Sequence, residues 1–189
     1  MKMIKTMIGF GAIASLALAP AAVLADSPDY TYIEGGYVNS DFDGGGSADG
    51  FGIGGSAEVG ENIFIIAGFS RVSDAGQDLD ILTAGIGYKS AVSDTTDVNV
   101  SIAYVDADLS GCCSEDGYAL DASLRSMVSS EFELNGGITY VDLGGAGGDD
   151  TAFHVGGVYS FNDSFAVTGG ISASNDVTTF SIGGRFYVK

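Results

Sequence analysis

From Tyr30 onward, apolar residues recur at every second position rather than every third or fourth. The last segment shows it best. Thr178, Phe180, Ile182, Gly184, Phe186 and Val188 lie on one face, and Thr179, Ser181, Gly183, Arg185 and Tyr187 on the other. Phe153, Val155, Gly157, Tyr159 and Phe161 alternate in the same way with His154, Gly156, Val158 and Ser160. A period of two is the pattern of a strand with unlike faces. Ten segments carry it: 30–38, 51–59, 63–72, 79–88, 98–107, 118–128, 132–142, 152–161, 165–174 and 177–188. Most have the ~9–11 residues that a tilted strand needs to cross a bilayer. No segment reads as a helix.

The connections alternate as well. Gly60-Glu61-Asn62, Ser129-Ser130-Glu131 and Asn162-Asp163-Ser164 are short, and each leaves apolar residues facing across the turn. Lys89 to Asp97 is a longer link on that side. The opposite ends carry polar loops at Asn39–Gly50, Ser73–Asp78, Asp108–Gly117 and Leu143–Thr151, with a tight link near Asn175-Asp176. Short turns at one end and longer loops at the other fit a single antiparallel up-and-down transmembrane β-barrel. Ten strands place both termini on the short-turn side; eight is the alternative if two segments fail to span.

Residues 1–25 read as a secretory signal peptide, leaving 26–189 as the barrel domain. Lys2 and Lys5 precede an apolar run over 7–18, Pro20 breaks it, and Val23-Leu24-Ala25 forms a small-residue cleavage site. The chain holds 25 acidic and 7 basic residues, a formal net charge of −18. So few cations cannot build a nucleic-acid face. Charged residues are only 17% of the chain and hydrophobic ones 46%, which excludes an acidic disordered tail.

The polar faces carry Glu34, Glu58, Asp121, Arg125, Glu133, His154 and Arg185. The apolar faces carry aromatic residues near the strand ends, among them Phe51, Phe69, Tyr88, Tyr104, Tyr118, Tyr140 and Phe165, as two interfacial girdles would require. The apolar face is therefore assigned to lipid and the polar face to the lumen. Glu34 is five residues in from the start of the first strand and Arg185 a few in from the end of the last. Closure should bring them to one depth, with Glu58 beside Glu34, Arg125 opposite or diagonal to Glu133, and Asp121 near Arg125. The seven residues form a lumen ion network that fills a narrow interior. The competing reading is a constriction that selects cations.

The chain resembles the small outer-membrane β-barrel superfamily of Gram-negative bacteria. Within it, the chain is most similar to a subfamily once described as sulfation-dependent quorum factors and later treated as ordinary outer-membrane proteins. The matching pieces are Tyr-Thr-Tyr-Ile-Glu-Gly-Gly-Tyr-Val (30–38), Asp-Gly-Phe-Gly-Ile-Gly-Gly-Ser (49–56), Phe-Ser-Arg (69–71), Gly-Ile-Gly-Tyr (85–88), Ser-Asp-Thr-Thr-Asp (93–97) and Leu-Arg-Ser (124–126). Ser181, Gly183, Phe186 and Val188 match the C-terminal signal that such barrels present to the barrel-assembly machinery, although Lys189 follows where the superfamily often ends on an aromatic. The resemblance implies residence in the outer membrane among lipid and lipopolysaccharide, and no catalytic residues.

His154 is the sole histidine. A hydrolase reading would give it Asp106 or Asp142 at the loop-side rim as partner. The acidic loops could meet divalent cations and so bridge to lipopolysaccharide, but no set of residues has the spacing of a metal site. Cys112 and Cys113 are neighbours on an expected loop tip, open to a local disulfide, a reactive thiol, metal capture or intermolecular pairing. The reading is a non-enzymatic membrane barrel with no cofactor, acidic loops and a filled lumen. A narrow cation-preferring porin stands second and a hydrolase using His154 third.

Overall fold

A computed structural model describes residues 27–144 and 148–189; the expected signal peptide lies outside the described residues. The chain forms ten antiparallel strands: β1 (Tyr32–Phe42), β2 (Ser47–Glu58), β3 (Ile63–Asp74), β4 (Gln77–Ser93), β5 (Thr96–Leu109), β6 (Cys113–Met127), β7 (Phe132–Leu143), β8 (Gly148–Asn162), β9 (Phe165–Ala173) and β10 (Val177–Tyr187). Each strand pairs with its sequence neighbours, and β10 pairs with β1 to close the barrel. Ten is thus the strand count.

The sheet is strongly staggered. Pairing followed from Glu34 through Gly54, Gly68, Thr83, Val105 and Gly117 reaches Leu143 on β7. Followed the other way through Arg185, Ala166 and Ser160, it reaches Glu131 at the foot of the same strand. A stagger of about twelve residues goes with strands tilted by ~35–45°. Close packing of the sheet needs glycine in places. A Cβ on Gly36 would meet the Ile182 carbonyl oxygen at 2.2 Å, and one on Gly87 would enter the Phe64 ring.

Several strands are longer than the sequence reading allows. β4 has 17 residues, β6 and β8 have 15, and β5 has 14. Most of the expected loop Asp108–Gly117 is therefore strand, and only Ser110, Gly111 and Cys112 link β5 to β6. The stretch 39–50 is likewise strand except for 43–46. Asp49, Asp78, Asp106, Asp108, Asp116 and Asp149 lie on strands rather than in loops.

The two faces exchange character along these strands. In the lower part of β5, Val98, Val100, Ile102 and Tyr104 point outward, while Asp97, Asn99 and Ser101 point inward. Above Tyr104 the order reverses: Val105, Ala107 and Leu109 are buried inside, and Asp106 and Asp108 face out. β4 turns from outward Leu82, Ile86 and Tyr88 to inward Leu79 and Ile81 with Asp78 and Asp80 outside. Physics demands the switch. An apolar outer face suits lipid; beyond the lipid the same tube meets water, so apolar side chains turn inward as in a soluble barrel.

The switch falls on an aromatic row. Tyr104 and Tyr118 are directly paired, and the Tyr118 and Tyr140 rings lie 6.3 Å apart. The Tyr118 hydroxyl donates to Asp142 at 3.4 Å and that of Tyr104 to Asp106 at 3.5 Å. Each tyrosine thus has its ring in the apolar band and its hydroxyl among acids, as suits a membrane–water boundary.

Candidate functional site: the barrel lumen

The lumen has three layers. At the short-turn end lies an ionic and aromatic layer. Arg125 donates through Nε and Nη2 to the two carboxylate oxygens of Glu133, both at 2.7 Å. Glu133 lies one step along from Asn135, the direct partner of Arg125, so the ion pair runs diagonally across the β6–β7 hairpin. Glu34 and Arg185 are direct partners in the closing register, and Arg185 donates from Nε (2.9 Å) and Nη2 (2.7 Å) to Glu34 Oε2. Arg185 also approaches Glu133 at 3.9 Å and joins the two pairs. Ion pairs with two charge-assisted hydrogen bonds are the form in which buried charge is tolerated.

Two tyrosines complete this layer, and the sequence reading missed both as lumen residues. The Arg185 guanidinium sits 3.7 Å from the Tyr32 ring centroid. The chain before β1 turns into the barrel, burying Pro28 and Tyr30. Tyr30 packs on Phe64 with ring centroids 4.9 Å apart, and it faces the cations of Arg125 at 4.2 Å and Lys89 at 4.4 Å. The Asp29 carbonyl accepts a bond from Arg125 at 2.9 Å. Alternation extended back from β1 would have placed Tyr30 on the inner face, but a strand starting there hides that these residues enter the mouth.

Glu58 is not beside Glu34, whose neighbour on β2 is Gly54. The stagger carries Glu58 down to the mouth, where it pairs with Lys89. Lys89, assigned to a turn by sequence, lies on the inner face of β4 because that strand continues to Ser93.

The middle layer is polar. His154 Nε2 lies 2.9 Å from Asp121 Oδ2, and Asp121 also accepts from Ser123 at 2.7 Å and Thr139 at 2.9 Å. Asp121 therefore joins His154 and not Arg125. Asp106 and Asp142 are on outer faces, so neither can serve His154 as a rim partner.

The upper layer is an apolar core, which sequence reasoning did not anticipate. Ala48, Val72, Leu79, Ile81, Val105 and Leu143 are among its buried members, with Val38, Phe42 and Cys113 packed against it. Leu79 and Leu143 are each 1% exposed. At the tip above it, Cys112 and Cys113 are joined as a disulfide between adjacent residues. Among the described residues there is no group of three or more His, Cys, Asp or Glu placed to hold a metal ion.

The outer membrane protein beta-barrel domain family matches residues 8–161. The chain belongs to that family. This outer-membrane barrel has similar solved structures. They include the KdgM porin (TM-score 0.49, 9% identity, covering 84% of this chain and 100% of that one) and the NanC porin (TM-score 0.48, 8% identity, 83% and 99%). A de novo designed transmembrane β-barrel is a third (TM-score 0.44, 11% identity, 85% and 98%). No curated protein matches the chain. In this outer-membrane barrel the apolar band is the lipid face, and the aromatic row at Tyr104, Tyr118 and Tyr140 marks one edge of it.

Proposed function

We propose that this outer-membrane protein is a non-enzymatic barrel closed to solute flow, which carries an acidic, apolar-cored end clear of the lipid as a surface element. One arrangement supports the reading: two unlike layers of packed side chains lie in series along the lumen. The first is built from Tyr30, Tyr32, Arg125, Glu133 and Arg185, and the second from Leu79, Val105, Leu143 and their neighbours. An ion passing the second layer would shed its water against aliphatic side chains, a cost of tens of kcal/mol for a bare charge.

His154 supports the non-enzymatic reading. Its Nε2 is taken by Asp121, its side chain is 10% exposed, and the nearby Ser123 hydroxyl bonds Asp121 rather than the imidazole. The outward acids suit contact with lipopolysaccharide through divalent cations, and Ser181, Gly183, Phe186 and Val188 are the proposed assembly signal. Residues 1–25 would direct export and be removed from the mature protein.

Single-channel recording of the refolded protein in a planar bilayer tests the reading. The expected record has no conductance steps above background. Reproducible, cation-preferring steps would overturn it in favour of a narrow porin.

A further inference from the structure

Between the ionic layer and the apolar core lies a cavity of about 190 Å³ against the β10–β1–β2–β3–β4 wall. Its inner surface is made by glycines, among them Gly36, Gly52 and Gly68, which bring no side chain to fill it. A Cβ placed on Gly52 would stand 3.7 Å from Ser70 Cβ and 3.8 Å from Val38 Cγ2, ordinary contact distances that leave the space open. Val38, Val72 and Ile81 line it from the apolar side, and Glu34, Ser70 and Thr83 supply polar groups.

These polar groups are available. Both bonds from Arg185 fall on Glu34 Oε2, so Oε1 is unused. On the same wall the Ser181 hydroxyl is buried with no hydrogen-bond partner among the described residues, and the Ser70 and Thr83 hydroxyls line the cavity beside it. Burial removes polar groups from bulk water, and a ligand that supplies their missing partners is favoured there. The size suffices, since an engineered cavity of about 150 Å³ takes benzene.

We infer that this chamber binds a small amphiphile with a hydrogen-bond-donating head and a short aliphatic body. The head, a hydroxyl or a primary ammonium, donates to Glu34 Oε1 with Ser70 and Thr83 beside it. The body lies under Val38, Val72 and Ile81. An anionic head is rejected, because the free acceptor is a carboxylate oxygen.

The test separates binding from access by refolding the full chain into detergent micelles with the probe present. The probes are 1-butanol, n-butylamine and, as the anionic isostere, butyrate. Nuclear Overhauser contacts from probe methyls to the Val38, Val72 and Ile81 methyls are expected for butanol, butylamine or both, and which of them binds identifies the head. Gly52→Val, which fills the cavity, should abolish the contacts. Thr83→Val keeps the shape without the hydroxyl and should weaken binding about fivefold. Contacts absent for all probes, contacts from butyrate alone, or contacts that persist in a folded Gly52→Val protein would each overturn the inference. If Gly52→Val does not fold, an unweakened Thr83→Val does so.

Discussion

Glu34 and Arg185 lie directly opposite each other in the register that closes the barrel, with two hydrogen bonds from the guanidinium to one carboxylate oxygen. They are separated by 151 positions in the chain, so their bond joins the first strand to the last. Arg185→Ala leaves Glu34 and part of Glu133 without a partner inside the lumen. A loss of about 3–5 kcal/mol is expected, the cost of breaking rather than replacing a buried pair. Urea unfolding of the micelle-bound barrel measures it, and a loss below about 1 kcal/mol would contradict a buried role for the pair.

That pairing was legible because closure of an even, antiparallel barrel needs only a count inward from each end. The ten strands were legible for the same reason: a period of two survives at every glycine pair. What stayed hidden depends on where lipid ends. Val105, Ala107 and Leu109 continue the alternation of β5, yet they face inward because Asp106 and Asp108 face water. Alternation alone does not tell which face is inside, and reading the acids as loops cut the strands short. The place of Glu58 was lost to the stagger of the sheet, and that of Tyr30 to a bend before β1.

The reversal on β5 gives opposite outcomes for charges placed on its outer face six residues apart, at Ile102 and Asp108. Ile102→Lys puts a charge against lipid and should cost about 2–4 kcal/mol near the mid-plane, less toward the boundary. Val105→Asp puts one into the apolar core and should be at least as harmful. Asp108→Lys, outside the lipid on the outer face, should leave folding into vesicles near wild type. Equal damage from all three would contradict a face exchange at Tyr104.

Asp80 and Arg71 are direct partners on the outer face above the apolar band, joined by two hydrogen bonds. The bonds from Arg71 hold the Asp80 carboxyl below its ordinary value. A depressed native value makes the pair's stabilisation fully present above the unfolded value of about 3.9, and it is lost as pH falls through the native one. Carbonyl-detected NMR titration should find Asp80 below the ordinary aspartate range and Arg71→Gln should move it up. The stability difference between wild type and Asp80→Asn should fade with acidification; a difference that grows would reverse the sign argued here.

The Cys112–Cys113 bond closes a ring between adjacent residues. Stabilisation by cross-linking comes largely from restricting the unfolded chain and grows with the size of the loop closed. Little entropy is at stake between neighbours. The Cys112→Ser, Cys113→Ser double variant should therefore change unfolding stability by less than about 1 kcal/mol, while removing all thiol labelling seen after reduction. A loss of several kcal/mol would show that the bridge organises the tip rather than decorating it.

Tyr30 offers the clearest separation of ring from hydroxyl. Tyr30 is 2% exposed and stacked among Phe64, Arg125 and Lys89, whereas among the described residues its hydroxyl accepts only from Asn99, at 3.5 Å. Tyr30→Ala removes a large buried ring and two cation–ring contacts, so a loss of about 3–5 kcal/mol is expected. Tyr30→Phe keeps the ring and gives up one long hydrogen bond, which should cost about 1 kcal/mol or less. Unfolding midpoints of the two variants measured side by side decide the matter. If Phe were as damaging as Ala, the hydroxyl and not the packed ring would hold the chain in the barrel mouth.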